Sequence, residues 1–200
     1  MPLTPQQVYT TAAAMLGAGT YAFQQTEGVS ATDAFYMAGM TFTTVGYGDD
    51  NGYPTTKNGK IVMMVLSFFA IGFFGNVLLP FLRDVRAKYQ KNVVSDTMQE
   101  SSGKFAYALA LFLLNAAIGV GICAYTKDPG LPKPGNFMDI LYWTFVTGTT
   151  VGYGDIVPST NSGKILTVIF ALFSLQTAAN ACDSAWEWMQ DTVFGKEKSD

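Results

Sequence analysis

The residues best placed for chemistry lie in a heptapeptide that occurs twice: Thr43-Thr44-Val45-Gly46-Tyr47-Gly48-Asp49 returns unchanged as Thr149-Thr150-Val151-Gly152-Tyr153-Gly154-Asp155, at a spacing of 106. Its glycines stand at alternate places. Glycine adopts backbone angles that L-residues resist, so successive carbonyls in such a loop can be turned toward one axis. The chemistry available is ligation by backbone oxygen. Side-chain chemistry has little to work with. The chain holds no histidine, which removes a histidine pH switch, a histidine metal site and the Ser/His and Cys/His nucleophile pairs. Its two cysteines, Cys123 and Cys182, stand in separate apolar stretches, form neither a CxxC pair nor a zinc cluster, and read as small buried hydrophobes. No phosphate loop or metal-ligand cluster is present and the carboxylates are scattered, so no enzyme activity and no cofactor are expected.

The elements that must position these loops are apolar. Of 200 residues, 49% are hydrophobic and 14% charged, with mean hydropathy +0.21; soluble chains average about 25% charged. This composition excludes disorder and points to a membrane-embedded chain. A net charge of -3 argues against a nucleic-acid partner. Lys60 and Arg83 bracket 22 uncharged residues, Lys104 and Lys127 another 22, and Lys164 and Asp183 bracket 18. Each is close to the ~20 residues that cross a bilayer as helix. A fourth, weaker span is read over Val8 to Phe23, rich in Ala, Gly and Thr, in preference to a signal peptide because a basic n-region is missing. Ala31 to Phe42 and Phe137 to Gly148 are apolar but too short to cross, which suggests re-entrant helices shielded from lipid by protein or a water-filled cavity. Arg83, Arg86, Lys88, Lys91 and Lys104 place the central linker, and with it both termini, on the cytoplasmic side.

The repeat extends well beyond the heptapeptides. The offset of 106 also pairs Ser30 with Asn136, Asp33 with Asp139, Tyr36 with Tyr142 and Thr41 with Thr147. Downstream, an offset of 104 pairs Pro54 with Pro158, Thr56 with Thr160, Gly59 and Lys60 with Gly163 and Lys164, and Asn76 with Asn180. Two pore repeats follow, 1–92 and 93–200, each of span, short helix, loop and span. On both TTVGYGD signatures and their flanks, the chain resembles the tandem-pore (two-pore-domain) potassium channels over nearly its whole length. It departs from animal members in having too few residues between Phe23 and Ala31 for an extracellular cap, and is in that respect more like compact plant or protist members.

The resemblance implies an all-α membrane protein: four transmembrane helices, two re-entrant pore helices, and a pseudo-fourfold pore formed by a homodimer, because four loops are needed and each chain supplies two. The implied function is passive, potassium-selective conduction of the leak type, without a voltage sensor. The filter would comprise Thr44, Val45, Gly46, Tyr47 and Gly48 with Thr150, Val151, Gly152, Tyr153 and Gly154, whose oxygens replace the ion's hydration shell. Potassium is then the permeant ligand and lipid the solvent. Ser30 and Asn136 cap the short helices, whose carbonyl ends would face a cavity cation; Asp33 and Asp139 read as structural.

Asp49 and Asp155 would lie at the outer mouth, with Asp50 adding charge to the first copy, and there either concentrate cations or bond behind the filter. Trp143 could serve Asp155 while Met37 offers Asp49 no donor, so the first copy is expected to be held less tightly. Asn76, Gln176 and Asn180 would line the cavity or bond between helices, and Gly72 and Gly75 could bend the second span. Without histidine, pH sensing falls to carboxylates such as Glu27 or to lysines. A cation transporter and a silent partner subunit are the competing readings. The plasma membrane is favoured, a vacuolar membrane being the alternative.

Overall fold

The computed structural model describes residues 4–49, 52–74, 77, 80–81 and 101–190. Among these, six α-helices carry the fold: α1 (Pro5–Glu27), α2 (Ala31–Phe42), α3 (Lys57–Phe73), α4 (Ser101–Thr126), α5 (Phe137–Gly148) and α6 (Asn161–Met189). The two 12-residue helices fall on the short segments read from sequence. Most boundaries have local causes. At the start of α1, Thr4 accepts the amide of Gln7 while Gln7 returns to the Thr4 amide, and Pro5 fixes the first turn. Its end is set by Gly28 at φ +66°, whose amide bonds Gln24 O. Ser30, Thr56 and Asn136 cap α2, α3 and α5, each accepting an amide three residues on.

Among the described residues, only α4 has a stretch long and apolar enough to cross a bilayer by length and composition, Leu109–Thr126. The described part of α3 is 17 residues long, and α6 is apolar over Asn161–Leu175, beyond which the side chain of Gln176 lies outside the described residues. In α1 the threonines and glutamines that punctuate the alanines keep its hydropathy lower.

Packing follows the repeat. Helix α1 lies on α2 and α3, α4 lies on α5 and α6, and α2 crosses to α6 to join the two halves. The first half buries Phe23, Ala34, Met37, Ala38 and Leu66 together; the second buries Ile122, Cys123, Leu131, Ile140, Trp143 and Phe170, with Trp143 stacked on Phe170 at 5.3 Å. Between them lies a third core of Tyr36, Met40, Val45, Tyr47, Val168 and Ala171, to which α2, the first loop and α6 all contribute. Gly39 is required there, since a Cβ would collide with the Val168 side chain.

Candidate ion-conduction site

Each heptapeptide leaves its 12-residue helix as an extended loop in which left-handed residues alternate with right-handed or extended ones. Thr44, Gly46 and Gly48 have φ of 60°, 55° and 69°; Thr150, Gly152 and Gly154 have 59°, 57° and 76°. Alternation of this kind turns successive carbonyls the same way. The glycines were legible as the residues that permit it, but the threonines were not. A β-branched residue in the left-handed region is held at a cost of about 1–2 kcal/mol, and such strain persists where surrounding structure over-determines it. Here the amides bond back to the preceding helix: Thr44 N to Thr41 O (3.2 Å) and Gly46 N to Met40 O (3.1 Å), then Thr150 N to Thr147 O (3.2 Å) and Gly152 N to Val146 O (3.1 Å). None of these bonds back to the helix uses a carbonyl of the loop itself.

The two loops lie side by side. A Cβ on Gly152 would collide with the Val45 carbonyl, and one on Gly154 with the Tyr47 carbonyl. The second pair of glycines therefore has two duties, backbone angle and close approach. Side chains of the first loop pack outward against the second repeat: Val45 and Tyr47 are 3% and 5% exposed, and the Tyr47 hydroxyl bonds the Thr147 hydroxyl. Their counterparts Val151 and Tyr153 are 48% and 69% exposed. Thr41, the counterpart of Thr147, has a buried hydroxyl without a hydrogen-bond partner among the described residues.

Both aspartates that follow the loops are tied to their own short helix. Tyr36 donates to Asp49 Oδ1 at 3.2 Å and Tyr142 to Asp155 Oδ2 at 2.9 Å. The expected asymmetry of donors is thus corrected: the donor stands one position before Trp143 and Met37, and it is tyrosine in both copies. The Trp143 indole nitrogen is turned to the Tyr47 hydroxyl and bonds neither aspartate. With a tyrosine donor on each aspartate, the difference in donors from which a looser first copy was expected is absent. Asp50 lies outside the described residues.

Sequence reading missed a pair of carboxylate clamps. Glu27, at the end of α1, accepts the amides and hydroxyls of both Thr55 and Thr56 at 2.7–3.3 Å. Asp128, just after α4, accepts the same four groups from Ser159 and Thr160 at 2.6–3.1 Å, and the Gly130 amide at 2.9 Å. Each clamp fastens the end of a long helix to the segment between loop and next helix. Gly59 and Gly163 are glycine because a Cβ would enter the carboxylate. Burial pushes the Asp128 carboxyl up, but the bonds from Ser159 and Thr160 outweigh it and bring it down to about 2. The signal was present in the repeated Thr-x-x-Gly-Lys, but its acceptors differ in type and sit at an offset of 101. Also missed was an ion pair between the repeats, Lys164 Nζ to Asp33 Oδ1 at 2.5 Å, with Lys164 buried.

Of the proposed cavity residues, Asn76 falls outside the described residues, as do the side chains of Gln176 and Asn180. Their neighbour Thr177 is buried and accepts from Asn115 Nδ2 of α4 at 2.5 Å, an interhelical bond.

An all-helical chain carrying two strained, oxygen-presenting loops in contact has the architecture of an ion channel. A family described as "Ion channel" matches residues 8–86 and again 107–190, and the chain belongs to that family. It is therefore an integral membrane protein and no enzyme. Among its relatives are the mouse potassium channel subfamily K member 10, 30% identical over 65% of this chain and 25% of its own length, and two-pore potassium channel 4 of Arabidopsis thaliana, 29% identical over 76% and 56%. A hyperpolarization-activated voltage-gated potassium channel of Methanocaldococcus jannaschii is 48% identical over 42 residues, 21% of this chain and 20% of its own. In each case the matched region covers at most 56% of the relative's length.

Proposed function

We propose that the chain is a leak-type, potassium-selective channel, passing ions down their gradient through a pore made by a homodimer. Helices α1 and α4 are its outer spans, α3 and α6 its inner spans, and α2 and α5 re-entrant pore helices, in two repeats of 1–92 and 93–200. Thr44 to Gly48 and Thr150 to Gly154 are the filter, and Asp49 and Asp155 flank its outer mouth. The observation that carries this reading is the packing of Gly152 and Gly154 on the carbonyls of Val45 and Tyr47: two loops with repeated left-handed angles, adjacent as quarters of a ring would be. Four such loops replace the hydration shell of a potassium ion with carbonyl and threonine oxygens. The names of the relatives support the choice of ion.

Asn76, Gln176 and Asn180 are assigned to the cavity below the filter, the central linker and termini to the cytoplasmic side, and the protein to the plasma membrane in preference to a vacuolar one. Conduction is tested by the reversal potential of purified protein in a planar bilayer, with potassium on one side and sodium on the other. Unitary steps reversing near the potassium equilibrium potential are expected. Currents that treat the two ions alike, or flux without unitary steps, would overturn the reading. Leucine at Asn76 and Asn180 together should alter conductance or cation block, and unchanged values would remove both from the pore.

A further inference from the structure

Resting on the dimeric pore just proposed, we infer that a second copy of this chain closes the ring through a seam that repeats the internal one. Lys60 pairs there with Asp139 of the partner subunit, and Tyr153 of the partner subunit bonds Thr41. The internal seam supplies the template. In it the inner helix of repeat two meets the pore helix of repeat one through Lys164 and Asp33, and the first filter loop meets the second pore helix through Tyr47 and Thr147. The offsets of 104 and 106 carry Lys164 to Lys60, Asp33 to Asp139, Tyr47 to Tyr153 and Thr147 to Thr41. Going round a ring in one sense, all four mapped residues fall on one interface, between repeat one of a chain and repeat two of its partner. A twofold axis generates that interface twice and leaves no edge open.

Four separate features of the single chain are what such a seam would leave behind. Lys60 and Asp139 are exposed, and while Asp139 Oδ2 takes Asn136 as Asp33 Oδ2 takes Ser30, the other oxygen of Asp139 has no partner among the described residues. The Thr41 hydroxyl is buried and orphaned among the described residues, a state with a desolvation cost that a donor from outside the chain removes. Gly46 faces open space, and nothing approaches Gly48 nearer than its own loop, whereas Gly152 and Gly154 meet the neighbouring carbonyls. Met64, the counterpart of buried Val168, is 63% exposed, and Phe145, the counterpart of Gly39, is exposed with it; because Gly39 leaves no room for a Cβ beside Val168, the second seam must pack Met64 against Phe145 at a wider spacing there and repeats the internal one in its polar contacts. Opposite charge, an orphan acceptor, two open glycines and an apolar patch thus coincide at the positions that the internal repeat names.

Charge reversal tests this with a built-in rescue. In a Lys60→Asp homodimer two carboxylates face each other at both seams, and in an Asp139→Lys homodimer two ammonium groups do. A mixed dimer of the two single variants sets opposite charges against each other at both seams, and the double variant Lys60→Asp/Asp139→Lys does the same as a homodimer. Wild type, the two single variants and the double variant are examined by native mass spectrometry in detergent. Each single variant should lose dimer about 10- to 100-fold relative to wild type, and the double variant should regain it. Recovery of folded protein by the double variant where the single variants give none supports the seam equally. A wild-type chain that forms no dimer overturns the dimeric pore itself. A dimeric wild type whose single variants dimerise normally, or whose double variant stays as monomeric as they do, overturns the seam alone. Thr41→Val gives an independent reading: it should weaken the dimer while leaving the monomer's melting unchanged or raised, and an unaffected dimer counts against the Tyr153 bond.

Discussion

The two heptapeptides are identical in sequence and nearly identical in backbone angles, yet Val45 and Tyr47 are enclosed and Val151 and Tyr153 are not. Local sequence sets the loop's conformation; what covers its side chains is set by chain order. The first loop is followed by a second repeat that folds over it, with α6 and α5 as cover. Among the described residues, nothing covers the second loop in the same way. On the dimeric pore proposed above, the chain completes one seam by covalent linkage and the other by assembly, and matched substitutions in the two copies distinguish what belongs to the loop from what belongs to the seam.

The largest effect is expected at the filter glycines. Gly152→Ala meets two obstacles, a left-handed φ costing about 1–2 kcal/mol for an L-residue and collision with the Val45 carbonyl. Gly46→Ala meets the first alone within a single chain. Both should abolish potassium-selective current in bilayers, because in the ring proposed above each glycine would meet a neighbouring carbonyl. Only Gly152→Ala should also lower the thermal stability of the dispersed monomer substantially. Equal destabilisation of the monomer by both would mean that the internal seam contributes nothing, and the comparison would collapse.

Much of this was legible in advance because it is written in period and spacing. Runs between charges marked the long helices, the 106-residue repeat marked both loops, and the capping residues Ser30 and Asn136 fixed the starts of α2 and α5. What escaped was of two kinds. The clamp acceptors Glu27 and Asp128 differ in residue type and in offset, so a search for identity passes over them. The pair of Lys164 with Asp33 joins residues 131 apart whose meeting depends on how the halves dock, and docking has no signature in local sequence. The donor to Asp155 was misassigned by one position, Trp143 for Tyr142. On a helix that is a turn of about 100°, enough to move a side chain from the filter side to the Phe170 stack.

The clamps give the next largest difference. Asp128 is buried with five donors and Glu27 half-buried with four, so Asp128→Ala should destabilise by about 3 kcal/mol and Glu27→Ala by about 1–2 kcal/mol, the range for bonds to charged acceptors. Denaturation midpoints in detergent would order them; the reverse order would show that burial is not what separates the two clamps.

Acid should act through the same group. The folded carboxyl of Asp128 titrates near 2, below its ordinary value of 3.8, so its stabilisation is present above about pH 4 and is lost as pH falls toward 2. Wild-type melting should hardly change between about pH 7 and pH 5 on this account and fall below about pH 4. Asp128→Asn should flatten that acid limb while lowering the plateau. A limb that survives the substitution would place the acid-sensitive group elsewhere.

The smallest effects separate the mouth aspartates. Tyr36→Phe removes one hydroxyl bond to a carboxylate in an enclosed site, worth about 1 kcal/mol, and Tyr142→Phe removes the same bond where water competes for both groups. Tyr36 belongs to the enclosed seam and Tyr142 to the open one, so in the dispersed monomer Tyr36→Phe should cost more. Once a partner covers Tyr142, the two losses should converge. Measuring both substitutions in monomer and in dimer turns one hydroxyl into a probe of the second seam. If the difference persists after dimerisation, Tyr142 remains solvent-facing in the assembled pore, and the two filter copies are inequivalent by design of the chain and not merely by the absence of a neighbour.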